Sequence, residues 1–557
     1  MLGNLEQRKW SKEDRYAPVL SGSAARLLVS MAVKNGRTLK QGDCKNAFCN
    51  GILPEDEICI VKPPADCPRS AKGVFWKLKK TLYGLARSPH HWYTKIKDHL
   101  EKDLGFESID QDKCVFKCKP FIDKPPIYLG LYVDDFVYYS NSDEVEQWFE
   151  KNLQSHIKVD FMGDVQWFLG QRYEWMRDQE GSISCHISQQ AFVEGMLQKL
   201  KLQHLKTTET PYRSGLKIDR IEHTPIDPRV EKDFITRYQS AIGCLNWLAI
   251  NTRPDINTAY SLLSQFNNKP SPGHWDSVKH VIRYLKGTAS HGIWFKQGEN
   301  RLQGHVAIPE ELRGEETILF TDSNWGPQDA SKPTEHETRT VSMEELKSVQ
   351  GFYLTRMGGP ILWGVQREKR GSRSSCIAEL KAIDMGIKGI QYIRHLMQQI
   401  GLPDIDYPTP VLNDNRGSID WIESGCKPTK KLRHENLVEL EIYEARKYDE
   451  VSFYWIPGKT NPADIFTKED NDKSHYKTIR DLMVKSREEF MEPIVQRWNT
   501  SLSSNSRWGV LEGGSGKLDA DEAELDLTQL TKMKPLTSST KTEVHQPPVP
   551  MATERYQ

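Results

Sequence analysis

The sequence predicts an α/β (α+β) fold divided among several structural units. Its 557 residues exceed what one hydrophobic core normally organises, so we expect about three or four units. Short apolar strands alternate with amphipathic helices along most of the chain. Hydrophobic residues make up 37% of the sequence and charged residues 27%, which is typical of globular proteins.

Several protein classes are disfavoured at this level. No apolar stretch approaches the roughly 20 residues that a transmembrane helix needs, so we expect no membrane partner. Segment 1–18 lacks the apolar core of a signal peptide, which favours an intracellular protein. Cys114 and Cys118 resemble half of a zinc site, but no second half with the usual spacing follows. Reduced structural cysteines are the preferred interpretation.

Apolar periodicity predicts the elements in order. The predicted helices cover 23–36, 90–106, 143–157, 189–201 and much of 235–287. The predicted strands end at Asp43, contain Asp134, and lie around 164–176 and 181–188. Residues 297–316 are polar without a clear period and are predicted to form a linker. A second α/β unit follows to about residue 490, and the composition of 499–557 predicts disorder.

Two adjacent acids interrupt the apolar run YLGLYVDDFVYY. Ionised carboxylates are rarely buried unless they are paired or bind a metal, so Asp134 and Asp135 are expected at a hairpin between two strands. Asp43 ends another short strand. Three carboxylates at one end of a sheet would repel each other unless divalent cations neutralised them. This arrangement is typical of phosphoryl transfer with two metal ions.

A basic segment lies between these acids. It contains seven Lys or Arg and no Asp or Glu from Lys72 to Lys97, with aromatic residues between them. Cations mixed with aromatic rings suit a sugar-phosphate backbone and stacked bases. An amphipathic surface segment is an equally good interpretation. The candidate nucleic-acid contacts in this segment are Lys79, Lys80 and Arg87.

Several long motifs in series resemble one family. YAPVLSGSAARLLVSMAVKNGRTLKQGDCKNAFCNGIL, KLKKTLYGLARSPHHW and LYVDD resemble a copia-type retrotransposon reverse transcriptase in order and spacing. DVQWFLGQRYEW, ISQQAFVEGML, YQSAIGCLNWLAINTRPDI and HVIRYLKGT continue the resemblance, which covers about residues 16–470. It implies a right-hand polymerase with a ferredoxin-like palm, partial fingers and a helical thumb or connection, followed by a ribonuclease H-like domain.

The resemblance implies roles for particular residues. Asp43, Asp134 and Asp135 would bind two metal ions, Mg2+ or Mn2+. Phe48 would lie against the sugar of the incoming nucleotide and exclude a 2′-hydroxyl, although a core position is the simpler interpretation of Phe48 alone. Tyr83 and Gly84 would line the nucleotide pocket. The segment formed by Trp167, Phe168, Leu169 and Gly170 would grip the primer end, although a core strand followed by a turn explains it as well in isolation.

Four further acids follow apolar elements in the second unit. Asp322 and Asp414 end strands, Glu379 lies in an early turn of a long helix, and Asp464 begins a helix with Asn461 as its cap. Each alone has a structural explanation, since first-turn acids stabilise helix dipoles. Together they resemble a ribonuclease H site that binds two Mg2+ ions. His434 matches a histidine of that family and is predicted to assist.

The resemblance also implies domains, partners and location. The implied domains are fingers and palm (1–215, truncated fingers), thumb or connection (216–296), linker (297–316), ribonuclease H-like domain (317–490) and disordered tail (499–557). Implied partners are an RNA template, a DNA primer, dNTPs, RNA–DNA hybrid and other Gag and Pol parts, in a cytoplasmic virus-like particle with a nuclear phase. Few finger strands precede Tyr16, so two alternatives stay open: a catalytically impaired remnant and a non-catalytic nucleic-acid-binding fragment.

Overall fold

The computed structural model describes residues 10–492 apart from short gaps. The gaps are 65–66, 68–72, 214–215, 217, 219–220, 222–223, 299, 301, 303, 326–346, 370, 373, 426–435 and 470–471. The tail predicted to be disordered, 499–557, lies outside the described residues. Within the described ranges, no helix combines the length and the apolar character needed to cross a membrane.

The N-terminal part of the chain forms an antiparallel sheet with helices packed against it. Its helices are α1 (Lys12–Arg15), α2 (Gly22–Lys34), α3 (Ser88–Asp98) and α4 (Asp143–Gln154). Its strands are β1 (Lys40–Cys44), β2 (Ile60–Val61), β3 (Trp76–Lys77), β4 (Glu107–Ser108), β5 (Val115–Cys118), β6 (Ile127–Tyr132), β7 (Asp135–Ser140) and β8 (Val159–Asp164). The first sheet has the order β4-β5-β6-β7-β1-β8, while β2 and β3 pair separately.

The middle part combines a second sheet with four helices. The strands are β9 (Trp167–Phe168), β10 (Gln171–Arg177), β11 (Ile183–Ser188) and β12 (Gly292–Lys296). The helices are α5 (Gln190–Leu200), α6 (Pro228–Asn251), α7 (Asn257–Ser264) and α8 (Pro272–Gly287). All four strands pair antiparallel with their neighbours. The region 235–287, predicted to be largely helical, contains α6, α7 and α8, with short breaks between them.

The C-terminal part forms a mixed third sheet. Its strands are β13 (Thr317–Asn324), β14 (Val349–Arg356), β15 (Gly359–Arg367), β16 (Thr409–Asn413) and β17 (Val451–Trp455). Its helices are α9 (Ser375–Ile400), α10 (Arg416–Glu423), α11 (Asn436–Lys447) and α12 (Lys473–Met483). The order is β15-β14-β13-β16-β17, with antiparallel pairs from β13 to β15 and parallel pairs from β13 to β17. The α/β (α+β) class is confirmed.

Buried contacts join helix α2 to the third sheet, and a late strand extends the second sheet. A last strand, β18 (Val484–Lys485), joins the edge of the second sheet beside β12. Arg26 of α2 is buried, donates a hydrogen bond to the carbonyl of Ile361 at 2.8 Å, and stacks over Trp363 at 4.4 Å. Burial lowers the pKa of Arg26 to about 10. These contacts join α2 directly to the third sheet.

The polar segment 297–316 carries buried apolar anchors. Leu302, Val306 and Leu312 are each at most 5% exposed, and a short 3-10 helix covers Glu310–Leu312. The predicted domain boundaries on either side of this segment remain predictions. Cys114 and Cys118 are free, buried thiols.

The centre of the first sheet accepts no side chain at Gly42. A Cβ atom there would lie 2.3 Å from the ring of Phe136, the residue opposite it on β7. We expect Gly42→Ala to lower the free energy of unfolding by about 1–3 kcal/mol, because overpacking a dense core forces shifts of the backbone. Chemical denaturation followed by fluorescence measures the change.

Gly243→Ala is the matched control for this measurement. Gly243 lies in α6, and its added Cβ meets no atom within 4 Å. The control should raise stability by up to about 1 kcal/mol, because alanine favours helix. A loss in both variants would contradict the packing argument.

Candidate active sites

The acidic pair lies at a tight turn between two central strands. Val133 and Asp134 connect β6 to β7, and Tyr132 pairs with Asp135 across the turn. Val133 has a φ of 59°, in the left-handed region that β-branched residues rarely adopt. The buried indole of Trp92 donates a hydrogen bond to the Val133 carbonyl at 2.6 Å. A core tryptophan therefore holds the turn that presents both carboxylates.

Asp43 joins the pair because β1 lies beside β7. Asp43 and Asp135 are direct partners in the strand register, and the amide of Cys44 donates to the Asp134 carbonyl at 2.8 Å. Asp160 of β8 lies opposite Asp43 on the other side of β1 and forms an ion pair with Lys45. The predicted acids share one end of the sheet, with Asp160 as an additional acid that the sequence motifs did not indicate.

The electrostatics of this first acidic cluster favour a cation. Burial, followed by the charges of Asp134 and Asp43, raises the pKa of Asp135 to about 6. The pKa of Asp43 is raised by burial, Asp134 and Asp160, with Lys45 opposing. The raised pKa values show that too little positive charge lies near these carboxylates to favour their ionised form. A hard divalent ion, which prefers oxygen ligands, would supply that charge. The donor set therefore fits the metal that the motif implies.

Two aromatic rings lie beside the cluster. Phe48 and Tyr83 pack edge to face with ring centroids 5.2 Å apart. Tyr83 is 48% exposed, and its pKa is raised by burial and by the charge of Asp134. Gly84 adopts a φ of 90°, a conformation that glycine permits at low cost. Two of the three residues predicted to line a nucleotide pocket, Phe48 and Tyr83, therefore pack against each other.

The three predicted basic contacts differ in their surroundings. Lys79 and Lys80 are exposed on the segment that bridges Ile52, and neither forms an ion pair with a carboxylate in the described part of the chain. Arg87 is engaged structurally: it pairs with Glu57 at 2.5 Å and stacks over Trp10 at 4.6 Å. The lysines are therefore freer to meet a phosphate than Arg87 is.

The WFLG segment forms a two-residue hairpin. Trp167 and Phe168 pair with the first residues of β10, and Leu169 and Gly170 turn with φ values of 53° and 69°. Two positive φ angles match the twist of a tight hairpin. Phe168 is buried, whereas Trp167 is 49% exposed. Phe168 therefore anchors the hairpin, and Trp167 is the side chain available to a ligand.

The second acidic cluster is formed by Asp322, Asp414 and Asp464. Their ligand atoms all lie within 4.8 Å of each other. Asp322 lies on β13, and Asp414 directly follows β16, the parallel neighbour of β13. Asp464 lies in a 3-10 helix, Pro462–Phe466, capped by Asn461 as predicted. Among the described residues, the acids of the first cluster do not meet within this distance.

Glu379 lies beside these three acids on α9. It is 6% exposed and accepts a hydrogen bond from the Asn413 side-chain amide at 3.0 Å. Asn413 also donates to the carbonyl of Thr321 at 3.1 Å, so it fixes the carboxylate relative to β13. Burial, followed by the charge of Asp322, raises the pKa of Glu379 well above its ordinary value.

A lysine and a histidine at this cluster were not predicted. Lys468 forms an ion pair with Asp464 and lies 3.9 Å from Asp322. His475 of α12 places Nε2 2.9 Å from Oδ2 of Asp464. The spacing of Lys468 four residues after Asp464 is a sequence signal for contact, whereas His475 carries no such signal. The pKa of Asp414 rises to about 6 through burial and Asp322, with Lys468 opposing. His434 lies outside the described residues.

Comparisons with known proteins identify relatives of the chain. Residues 6–214 match the family model of reverse transcriptase (RNA-dependent DNA polymerase). The Pol polyprotein of transposon RE2 from Arabidopsis thaliana is 27% identical over 406 residues, covering 73% of this chain and 25% of that polyprotein. The Pol polyprotein of transposon TNT 1-94 from Nicotiana tabacum is 27% identical over 470 residues, covering 84% and 32%. The chain thus spans about a quarter to a third of these relatives.

One solved structure is similar over much of the chain. It is a foamy viral protease-reverse transcriptase in complex with double-stranded DNA, with a TM-score of 0.39 and 12% identity. The match covers 81% of this chain and 60% of that one.

The raised pKa of Asp135 predicts a pH-dependent stability. Its folded pKa of about 6 exceeds the unfolded value of about 3.9, so the folded state binds the proton more tightly and stability falls as pH rises from about 4 to 6. In metal-free buffer, Asp135→Asn should raise the free energy of unfolding by about 3 kcal/mol at pH 7.5. The gain should shrink by about half at pH 5.0.

Urea denaturation in EDTA at both pH values measures this effect. The exposed Asp123 supplies the control, since Asp123→Asn should change stability little at either pH. A gain from Asp135→Asn that is equal at both pH values would contradict the titration.

Proposed function

Because the chain belongs to the Pol polyproteins of copia-type retrotransposons, we propose that it is an RNA-directed DNA polymerase that also hydrolyses the RNA strand of RNA–DNA hybrids. The observation that carries the proposal is the pair of separate carboxylate clusters, each at strand ends and each containing an acid with a raised pKa. One cluster lies in the segment that matches reverse transcriptases.

The first cluster would perform nucleotide addition in a polymerase palm. Asp43, Asp134 and Asp135 would hold two Mg2+ ions, with Mn2+ as a substitute. Metal ions bound at either cluster would activate the attacking oxygen and offset charge on the leaving group. The turn held by Trp92 fixes Asp134 and Asp135, so the chain itself supplies the preorganised ligands that in-line transfer requires.

The surroundings of this cluster fit the other substrates. The ring of Phe48 would contact the deoxyribose of a dNTP and leave no room for a 2′-hydroxyl. Tyr83 and Gly84 would border the same nucleotide. Trp167 at its hairpin would contact the primer end, and Lys79 and Lys80 would meet phosphates of the RNA template or DNA primer.

The second cluster would hydrolyse RNA in the hybrid. Asp322, Glu379, Asp414 and Asp464 would hold the two ions. Lys468 offsets part of their charge, and His475 orients Asp464 by its contact with Oδ2. Two acids with raised pKa values, Glu379 and Asp414, indicate that the site has more negative charge than its own cations neutralise.

Partners and location follow from this function as proposals. The chain would act with other Gag and Pol parts in a cytoplasmic virus-like particle, with a nuclear phase when the DNA product is delivered. RNA template, DNA primer, dNTPs and RNA–DNA hybrid are the ligands. Hybrid binding with neither reaction would favour the impaired remnant or the non-catalytic binding fragment instead.

Separate substitutions should divide the two activities. Asp135→Asn should lower primer extension on an RNA template by about a thousandfold and leave hybrid cleavage within about twofold, because a metal ligand contributes several kcal/mol to transition-state stabilisation. Asp414→Asn should lower hybrid cleavage by about a thousandfold and leave primer extension within about twofold. Extension of a labelled primer and cleavage of a labelled hybrid, both with Mg2+ and with Mn2+, measure the two reactions.

Asp123→Asn again supplies the control and should leave both activities unchanged. Equal losses of both activities in Asp135→Asn, or in Asp414→Asn, would contradict two independent sites.

Sugar selection should depend on the ring of Phe48. Phe48→Val should raise ribonucleotide incorporation relative to deoxynucleotide incorporation by at least about tenfold, because contact with one added hydroxyl is relieved. Single-nucleotide extension with matched rNTP and dNTP measures the ratio. Phe121→Val removes a partly buried ring that packs against Trp148 and should leave the ratio unchanged. An unchanged ratio in Phe48→Val would remove the assigned role.

A further inference from the structure

An exposed indole and an exposed guanidinium lie next to Asp414. Trp455 ends β17 and is 38% exposed. Its Nε1–H donates a hydrogen bond to the Asp414 carbonyl at 2.9 Å. The guanidinium of Arg416 lies over the ring, with Cζ 5.0 Å from the ring centroid. A cation–π pair is thus attached to the residue that carries a carboxylate of the second cluster.

The position of Arg416 is fixed by local structure. Arg416 is the first residue of α10, and Asn415 caps that helix by accepting a hydrogen bond from the Ser418 amide at 2.9 Å. Stacking on a planar ring orients the guanidinium fork without using its N–H donors. In the described part of the chain, Arg416 forms no ion pair with a carboxylate. Its donors are therefore directed by the fold and remain available to an anion.

A neighbouring loop adds a second exposed cation. Gly458 lies so close to Asp414 that an added Cβ would be 2.5 Å from Oδ2. Lys459 follows it, is exposed, and makes no ion pair with any carboxylate that the structure describes. Because Gly458 lies against the Asp414 carboxylate, the next residue, Lys459, borders the second cluster. Two exposed cations therefore border a strongly acidic site.

An acidic cluster bordered by exposed cations suits a polyanion that must approach metal-binding carboxylates. Phosphate groups match a guanidinium fork in geometry and charge. Two other ligands fit less well. A hard cation alone would be repelled by the Arg416 guanidinium, and an acidic peptide would be repelled by the carboxylates. A phosphodiester strand accounts for both features. One phosphate would meet metal ions held by the acids, and a neighbouring phosphate would meet the cations.

We propose that Arg416, held by Trp455, binds a phosphate of the RNA–DNA hybrid next to the bond that is cut. This inference rests on the proposed hydrolysis at Asp322, Glu379, Asp414 and Asp464, and it extends that function by naming where the substrate backbone is held. Trp455 acts as a positioning residue for the guanidinium. Lys459 supplies a second, less directed charge.

The chain offers a matched control pair. Lys447 lies over the ring of Tyr448 at 5.5 Å, and Tyr448 is 67% exposed. This second cation–π pair precedes β17, at the end of the strand opposite Trp455. Substitutions there test for general loss of charge or aromatic surface.

Kinetics of hybrid hydrolysis by the full chain provide the first test. Arg416→Ala should raise KM about tenfold with kcat within about twofold, because one charge-assisted hydrogen bond to phosphate is lost. The slope of log KM against log salt should fall by about one, as expected for one phosphate contact. Arg416→Lys should recover only part of the affinity, since lysine lacks the fork. Lys447→Ala should change neither quantity.

The contribution of Trp455 is tested by a double-mutant cycle. Trp455→Ala should also raise KM. The double variant with Arg416→Ala should have the same KM as Arg416→Ala alone. Trp455→Phe keeps an aromatic face and should retain most of the affinity, even if the alanine variant folds poorly. Additive effects of the two substitutions would overturn the positioning role.

Hydrogen–deuterium exchange separates this inference from the proposed function. The probe is a hybrid whose RNA strand carries 2′-O-methyl groups, so that hydrolysis does not consume it. Binding should protect amides of 414–420 and 453–460 in the wild-type chain but not in Arg416→Ala.

Protection without hydrolysis of an unmodified hybrid would contradict the proposed function alone. Hydrolysis with an unchanged KM in Arg416→Ala, or hybrid binding without protection of these segments, would overturn the phosphate-binding role.

Discussion

Repulsion among carboxylates at strand ends is the constraint on which both sites depend. At the first cluster, Asp43 and Asp135 are neighbours in the strand register, with Asp134 at the turn between strands. At the second, three acids have ligand atoms within 4.8 Å of each other. Such groupings destabilise the metal-free fold, because desolvated like charges cannot all ionise. The surrounding core must supply the free energy that keeps them together.

The two sites hold their acids by different means. The first cluster relies on packing and backbone contacts: Trp92 binds the turn at Val133, and Gly42 lets Phe136 approach β1. The second relies on side-chain amides, since Asn413 and Asn461 both donate to the Thr321 carbonyl. The first cluster is therefore fixed by strand register, whereas the second depends on a buried hydrogen-bond network.

Prediction from sequence was most successful where a single strand or helix carries the signal. The hairpin at Asp134, the helix over 23–36 and the capped turn at Asp464 all follow from local patterns, and the structure contains each of them. The grouping of Asp322 with Asp414 comes from the family resemblance and not from a local pattern. Asp414 directly follows β16 as expected, whereas Asp322, expected at a strand end, lies within β13, which continues to Asn324. The order of strands that makes β13 and β16 parallel neighbours depends on long-range packing, which local periodicity does not encode.

The residues that sequence reasoning missed have a common feature. Asp160, Lys468 and His475 matter because of what the fold places beside them. Asp160 reaches the first cluster only through the pairing of β1 with β8. His475 reaches Asp464 only because α12 packs against the 3-10 helix. Their chemistry is ordinary in sequence, and their importance arises from contacts between distant segments.

The segment that carries Asp464 is also anchored by helices that precede the third sheet. Thr258 of α7 donates a hydrogen bond to the Ile465 carbonyl at 3.0 Å, and Tyr476 of α12 donates to the Asp255 carbonyl at 2.9 Å. Asp255 is itself fixed by a buried ion pair with Arg253 at 2.7 Å. Buried polar contacts of this kind lose their partners if either side moves.

The geometry around Asp464 therefore depends on residues 253–258 as well as on its own sheet. A single change in that middle segment would reach the second cluster through Thr258 and Tyr476 without contacting any metal ligand. The first cluster has no such connection through these residues, since its turn is held by Trp92 within its own sheet and helix layer. The two sites thus share one constraint but differ in how far their supporting contacts extend along the chain.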